Sequence, residues 1–236
     1  MNKTKIEWTE STWNPITGCS EVSTGCLNCY AKKMAKRLKA MGNPRYKNGF
    51  EVTIHEDLFE LPVKTKEPKI IFVCSMSDLF HESVCFEVIG RIFDVMEKAN
   101  WHIFQVLTKR SERLLEFSKT RTIPDNVWIG VTVEHESVKN RLDQLKQIKA
   151  KVKFLSCEPL VGSLKELNFS GIDWIVVGGE SGSSSRPLKE EWVLEIRDQC
   201  EEKHIKFFFK QWGGWNKKKN GKLLQGKIYD QMPDII

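Results

Sequence analysis

The stretch Ile70-Ile71-Phe72-Val73-Cys74-Ser75-Met76-Ser77-Asp78 decides how the rest of the chain is read. An unbroken apolar run stops abruptly at small polar and acidic residues. A strand apolar on both faces is covered on both sides, which is the habit of parallel sheets. The same pattern recurs downstream. Ile103–Leu107 runs into Thr108-Lys109-Arg110, Val127–Val131 into Thr132-Val133-Glu134, and Val152–Ser156 into Cys157-Glu158-Pro159. Trp174–Val177 runs into Gly178-Gly179-Glu180-Ser181-Gly182, and Lys206–Phe209 into Lys210-Gln211-Trp212.

Between these runs the apolar period changes to that of amphipathic helices. Cys85–Ala99, Ser137–Lys149 and Lys189–Lys203 each place their apolar residues on one face. Upstream, a short strand near Ser11–Trp13, a helix over Tyr30–Met41 and another over Glu51–Leu61 continue the plan. Regular strand–helix alternation predicts an α/β fold. We expect a partial or irregular (β/α) barrel of six to seven mostly parallel strands, rather than an open doubly wound sheet. No stretch has the composition of a flexible linker, so residues 1–236 are expected to form a single domain. That domain would carry a cysteine loop at 18–30 and a basic extension at 213–236.

The loop reads Gly18-Cys19-Ser20-Glu21-Val22-Ser23-Thr24-Gly25-Cys26-Leu27-Asn28-Cys29-Tyr30. Thiolates this close in sequence can converge on one metal centre. The opening residues lack a secretory signal, and no run approaches the roughly 18 apolar residues of a membrane span. A cytoplasmic protein with no membrane partner is therefore expected. In that reducing setting, seven cysteines point to metal binding or catalysis rather than disulfides. Cys74, Cys85, Cys157 and Cys200 stand alone and are expected in the core. A structural zinc site needs four protein ligands, whereas three cysteines suit a 4Fe–4S cluster with one iron open. Both remain open at this point, with His55, Cys74, His81 and Cys85 the candidate zinc partners.

In parallel α/β folds chemistry gathers where strands end. Here those ends hold Ser75, Ser77, Asp78, Lys109, Glu134, Glu158, Gly178, Gly179, Glu180 and Lys210. Like charges crowd together only when they are paired or bind something, so this rim is read as a site facing the cysteine loop. The net charge is +6, and from His204 to Tyr229 there are seven lysines and no carboxylate. Such a segment attracts polyanions.

The cysteine triad after the first strand resembles the radical S-adenosylmethionine superfamily. More closely, the chain resembles the phage-associated three-cysteine-motif proteins, a family of uncharacterised function. The resemblance rests on Trp13-Asn14-Pro15, Gly18-Cys19, Gly25-Cys26, Cys29-Tyr30-Ala31 and Ser75-Met76-Ser77-Asp78-Leu79-Phe80. It extends through Leu107-Thr108-Lys109-Arg110, Ser156-Cys157-Glu158-Pro159-Leu160, Val177 to Gly182, and Phe208-Phe209-Lys210-Gln211-Trp212-Gly213. The spacing between Cys19 and Cys26 is longer than in most radical S-adenosylmethionine enzymes, and Asn28 stands where an aromatic residue is usual.

The resemblance implies that Cys19, Cys26 and Cys29 ligate a 4Fe–4S cluster that works with S-adenosylmethionine. It further implies that Tyr30 packs at the cluster, that Ser75, Ser77, Asp78, Gly178, Gly179 and Glu180 contact the cofactor, and that Glu134, Glu158, Lys109 and Lys210 serve the substrate. An electron donor such as flavodoxin or ferredoxin would be a partner. Nucleic acid is the expected substrate, modified or repaired at a base, with Trp212, Trp215 and Lys217–Lys219 as its contacts. Two alternatives are a zinc-stabilised partner protein without catalysis and a barrel hydrolase using Glu134 and Glu158.

Overall fold

The computed structural model describes residues 2–234. Its strands are β1 (Asn2–Lys3), β2 (Ser11–Trp13), β3 (Ile16–Thr17), β4 (Thr53–Ile54), β5 (Ile70–Val73), β6 (Ile103–Thr108), β7 (Val127–Thr132), β8 (Lys153–Cys157), β9 (Trp174–Gly178) and β10 (Lys206–Gln211). Its helices are α1 (Tyr30–Ala40), α2 (Leu61–Lys64), α3 (Phe86–Lys98), α4 (Ser111–Ser118), α5 (Asn140–Lys146), α6 (Glu190–Glu202) and α7 (Lys217–Asn220). The main sheet runs β1-β2-β5-β6-β7-β8-β9-β10. Every pairing from β2 to β10 is parallel, and only β1 is antiparallel to its neighbour.

Strand order that never reverses sends each connection across the same face, so the helices gather on one side. On that side Val106, Ile129, Leu155, Ile175 and Phe207 pack against Ile89, Ile92, Leu142, Val193 and Ile196. Strand twist then curls the seven parallel strands into a half-barrel. The concave face holds a layer of rings: Phe72, Trp128, Phe154, Trp174 and Phe208. Trp8 plugs this layer from the N-terminal segment, 4.8 Å from Phe72 and 6.0 Å from Trp174 between ring centroids. Gln105 holds the plug by donating to the Trp8 carbonyl at 3.1 Å.

Side chains on one face of a strand recur every second residue. Beyond the aromatic floor the concave face therefore carries Gly130, Ser156, Val176 and Lys210, then Thr132, Glu158 and Gly178. The interior turns polar toward the strand ends, where the cysteine loop lies.

The expected helix over Glu51–Leu61 is not formed. Thr53 and Ile54 instead pair with Thr17 and Ile16 as a two-stranded ribbon, followed by a 3-10 turn and the short α2. The run Val52-Thr53-Ile54 is β-branched and suits the ribbon better than a helix. The basic extension is woven into the sheet edge. The Phe209 amide donates to the Tyr229 carbonyl at 2.8 Å, Leu224 is fully buried, and the Trp174 indole donates to the Gln231 carbonyl at 2.9 Å. Among the described residues no helix is long and apolar enough to cross a membrane.

Candidate functional site

The cysteine loop begins at Gly18, whose φ of +84° favours glycine. A Cβ there would lie 2.1 Å from the Glu51 carbonyl oxygen, so the turn has no room for a side chain. From this turn the chain crosses the strand ends, forms a 3-10 turn at Thr24–Cys26 and enters α1 directly after Cys29. Cys19, Cys26 and Cys29 are all half-buried. Burial first, then the Asp78 carboxylate, push the Cys19 thiol up to about 11, against the lowering influence of Arg110. A metal bound there must displace its proton.

The loop is tied to the ends of β5, β6, β7 and β9. After β5, Asp78 accepts from the Thr108 hydroxyl at 2.6 Å, the Lys109 amide at 3.1 Å and Arg110 at 3.2 Å. Arg110, held there, donates to the Ser20 hydroxyl at 2.8 Å and to Cys19 Sγ at 3.5 Å. His81 meets the same hydroxyl at 2.8 Å. After β7, the fully buried Glu134 accepts from the Ser23 hydroxyl, from the Gly25 amide at 3.2 Å and from Arg141 at 2.9 Å. After β9, Glu180 accepts from Asn28 at 2.9 Å and makes a two-pronged pair with Arg186 at 2.6 and 3.1 Å. Burial acts most strongly on Glu180 and raises its pKa. The hydrogen bonds from Arg186 and Asn28 outweigh that and hold it below the usual carboxylate range.

These partners change the part the charged rim plays. The resemblance implies Asp78 and Glu180 as cofactor contacts and Glu134 as a substrate contact. In the structure each carboxylate is saturated by the chain's own donors, and each steadies the cysteine loop. A hydrolase pair of Glu134 and Glu158 would need both carboxylates in reach of water, yet Glu134 has no exposed surface. Arg141, Arg186, Ser20 and Ser23 carry no signal of their own in the sequence, and Asn28 stands out there only as a departure from the usual aromatic residue. They lie outside the strand-end runs, and their part emerges only when the loop is seen beside the rim.

Glu158 and Lys210 remain open. Their side chains pair at 3.2 Å while keeping 14 % and 21 % exposure. Gly178 makes room for them, because a Cβ there would fall 2.4 Å from a Glu158 carboxylate oxygen. Lys109 reaches the Thr132 hydroxyl at 3.4 Å. Tyr30 is 58 % exposed, yet its hydroxyl donates to the Ser75 carbonyl after β5. Burial, then the charges of Cys29 and Glu158, raise its pKa, as expected of a ring lining a concavity. Ser75 and Ser77 spend their hydroxyls on Asn14 and the Ile16 carbonyl, and Gly179 packs under the Trp212 carbonyl.

Cys74, Cys157 and Cys200 are buried as expected, but Cys85 is exposed at the start of α3. Among the described residues, no three His, Cys, Asp or Glu side chains converge closely enough to hold a single ion. The basic C-terminal stretch is partly spent. Lys222 pairs with Glu7 at 2.7 Å, and Trp212 packs on Phe209 at 4.9 Å. Trp215 is 84 % exposed, while the side chains of Lys217 and Lys218 lie outside the described residues.

Fold and site together define an α/β half-barrel with a cysteine loop braced across its strand ends. The chain belongs to the family described as protein of unknown function (DUF5131), whose model matches residues 3–233. Comparison with curated proteins finds no match. Among solved structures the chain is similar to spore photoproduct lyase complexed with dinucleoside spore photoproduct, at 12% identity and a TM-score of 0.47. It is also similar to a mutant of that lyase with bound AdoMet and dinucleoside spore photoproduct, at 11% identity and a TM-score of 0.44. These likenesses cover 80% and 82% of this chain, and the chain spans 60% and 62% of the length of those two.

Proposed function

We propose that the chain is a radical S-adenosylmethionine-type enzyme in which Cys19, Cys26 and Cys29 hold a 4Fe–4S cluster at the mouth of the half-barrel. The bracing of the cysteine loop carries this reading. Asp78, Glu134, Glu180, Arg110 and Arg141 are charged groups drawn out of water, a placement that costs desolvation. What they fix is the path of three thiols.

The donor set fits the group: three sulfur ligands on one loop, with a fourth coordination position left for a cofactor. When bound, the cluster and S-adenosylmethionine supply an electron and a radical that takes a hydrogen atom from substrate. The chain's own residues do the rest. Glu158 offers a carboxylate to an ammonium or hydroxyl donor, and Lys210 beside it offers a cation to a carboxylate, so the pair suits a zwitterionic amino-acid group. Tyr30, close enough to Glu158 to feel its charge, would border the same group, and Lys109 and Lys210 can each hold a proton near the substrate. The aromatic floor of Trp8, Trp128 and Trp174 keeps bulk water out of the concavity from below.

The test is formation of 5′-deoxyadenosine by anaerobically reconstituted protein given S-adenosylmethionine and dithionite. Production is expected from the wild type and none from the Cys19→Ala, Cys26→Ala, Cys29→Ala variant. A fully loaded cluster that releases no such nucleoside would overturn the proposal.

A further inference from the structure

Helix α1 follows the third cysteine and reads Tyr-Ala-Lys-Lys-Met-Ala-Lys-Arg-Leu-Lys-Ala. It carries a charge of +5 in a chain of net +6, with no carboxylate. Lys32 and Lys33 stand near its N-terminus, where the helix dipole disfavours cations. Lys32 pairs with Glu21 at 2.7 Å. Lys33, Lys36, Arg37 and Lys39 are exposed and make no ion pair among the described residues. Ala31 and Ala35 face the core and need nothing of the kind from their neighbours. The four uncovered cations on a helix that packs through alanines cost stability through mutual repulsion unless an anion covers them.

The helix lines a groove. Lys32, Lys36 and Lys39 line a cavity of ≈ 800 Å³ together with Phe50 and Cys19. Glu51 is the one carboxylate lining it. Along the helix these lysines stand about 6 and 4.5 Å apart, comparable with one to two phosphate steps of about 3.4 Å along a strand. The other flank of α1 leads to the C-terminal segment. Lys33 approaches Gly182, whose amide donates to the Gly214 carbonyl at 3.1 Å, next to Trp215 and the basic α7. Cations thus flank the cysteine loop, with the half-buried Phe50 ring on one side and the exposed Trp215 on the other.

We propose that α1 docks a single strand of nucleic acid, with phosphates along Lys32, Lys36 and Lys39 and with Phe50 and Trp215 as stacking surfaces. A charged groove flanked by aromatic rings binds unpaired strands with little regard to sequence. This deepens the function proposed above by naming its substrate class. It rests on that function only for the chemistry after binding. The interface moves from the C-terminal lysines alone to α1, with Trp215 retained.

The experiment is fluorescence anisotropy of a labelled, mixed-sequence single-stranded oligonucleotide titrated with the full chain across a range of salt. Contact with three or four phosphates predicts a slope of log affinity against log salt of about −2 to −3. The Lys36→Gln, Lys39→Gln variant should bind at least tenfold more weakly at low salt and shed about 1.4 of that slope. Trp215→Ala should weaken binding without altering the slope, and Lys149→Gln should change neither. Unchanged affinity in the double lysine variant overturns the proposal. So does binding of duplex, or of vesicles rich in anionic lipid, at least as tight as that of the single strand. The readout requires no cofactor turnover, so it fails or succeeds independently of the radical chemistry.

Discussion

Replacing Glu134 by glutamine tests whether the rim exists to brace the cysteine loop. Glutamine keeps the volume and an acceptor for the Gly25 amide but removes the charge that faces Arg141 at 2.9 Å. Both side chains are almost wholly shielded from water, at 0 % and 6 % exposure. An exposed pair is worth little, but breaking a buried one strands a charge and costs about 3–5 kcal/mol. Arg141 keeps one bond, to the Thr132 carbonyl at 3.0 Å, so the lower end of that range is expected. For a domain of this size each kcal/mol moves the melting temperature by about 2–4 °C. Glu134→Gln should therefore melt about 6–12 °C lower by calorimetry, and amides of residues 20–30 should exchange hydrogen faster. Adding Arg141→Met removes the stranded cation and should recover most of the loss. A single variant as stable as wild type, or a double variant no better than the single, would refute the reasoning.

The same structure gives two further expected outcomes. His102 accepts from the Lys69 amide at its Nδ1 and donates from Nε2 toward the Pro62 and Thr65 carbonyls, at 3.1 and 3.0 Å, so it is held neutral. Burial is the main cause of its lowered pKa. The folded state resists protonation there. This contribution to stability is complete above the unfolded pKa of about 6.5 and is lost as pH falls through the lower folded value. Melting temperature should drop between pH 7 and pH 5, less steeply in His102→Gln, and an identical slope in the two proteins would count against this. Gly18→Ala places a methyl against the Glu51 carbonyl at a positive φ, costing about 1–3 kcal/mol. It should lower both the denaturant midpoint and the iron bound after reconstitution, whereas normal loading would show that the turn does not set the thiols.

Strand positions were legible because doubly covered strands leave continuous apolar runs. Those from Ile70 to Gln211 fall within one or two residues of the expected bounds at either end. Helix α4 left little trace, since Leu114 and Phe117 are its only large buried apolar side chains. Residues 51–61 went astray because cross-strand pairing with Ile16 and Thr17, invisible in a local window, decides their conformation. The strand-end carboxylates were found by position, but the loop partners of Glu134 and Glu180 lie more than a hundred residues away, as in Ser23 and Gly25 with Glu134 and Asn28 with Glu180. Charge drew attention to the C-terminal lysines, while the denser cluster on α1 was masked by an otherwise ordinary helical pattern.

Iron and acid-labile sulfide in anaerobically reconstituted protein bear most directly on the cysteine loop. Equal amounts of the two, at one 4Fe–4S cluster per chain, are predicted for the wild type, with both lost when Cys19, Cys26 and Cys29 are replaced by alanine. A single zinc with no iron, or iron and sulfide retained in the triple variant, would contradict the account.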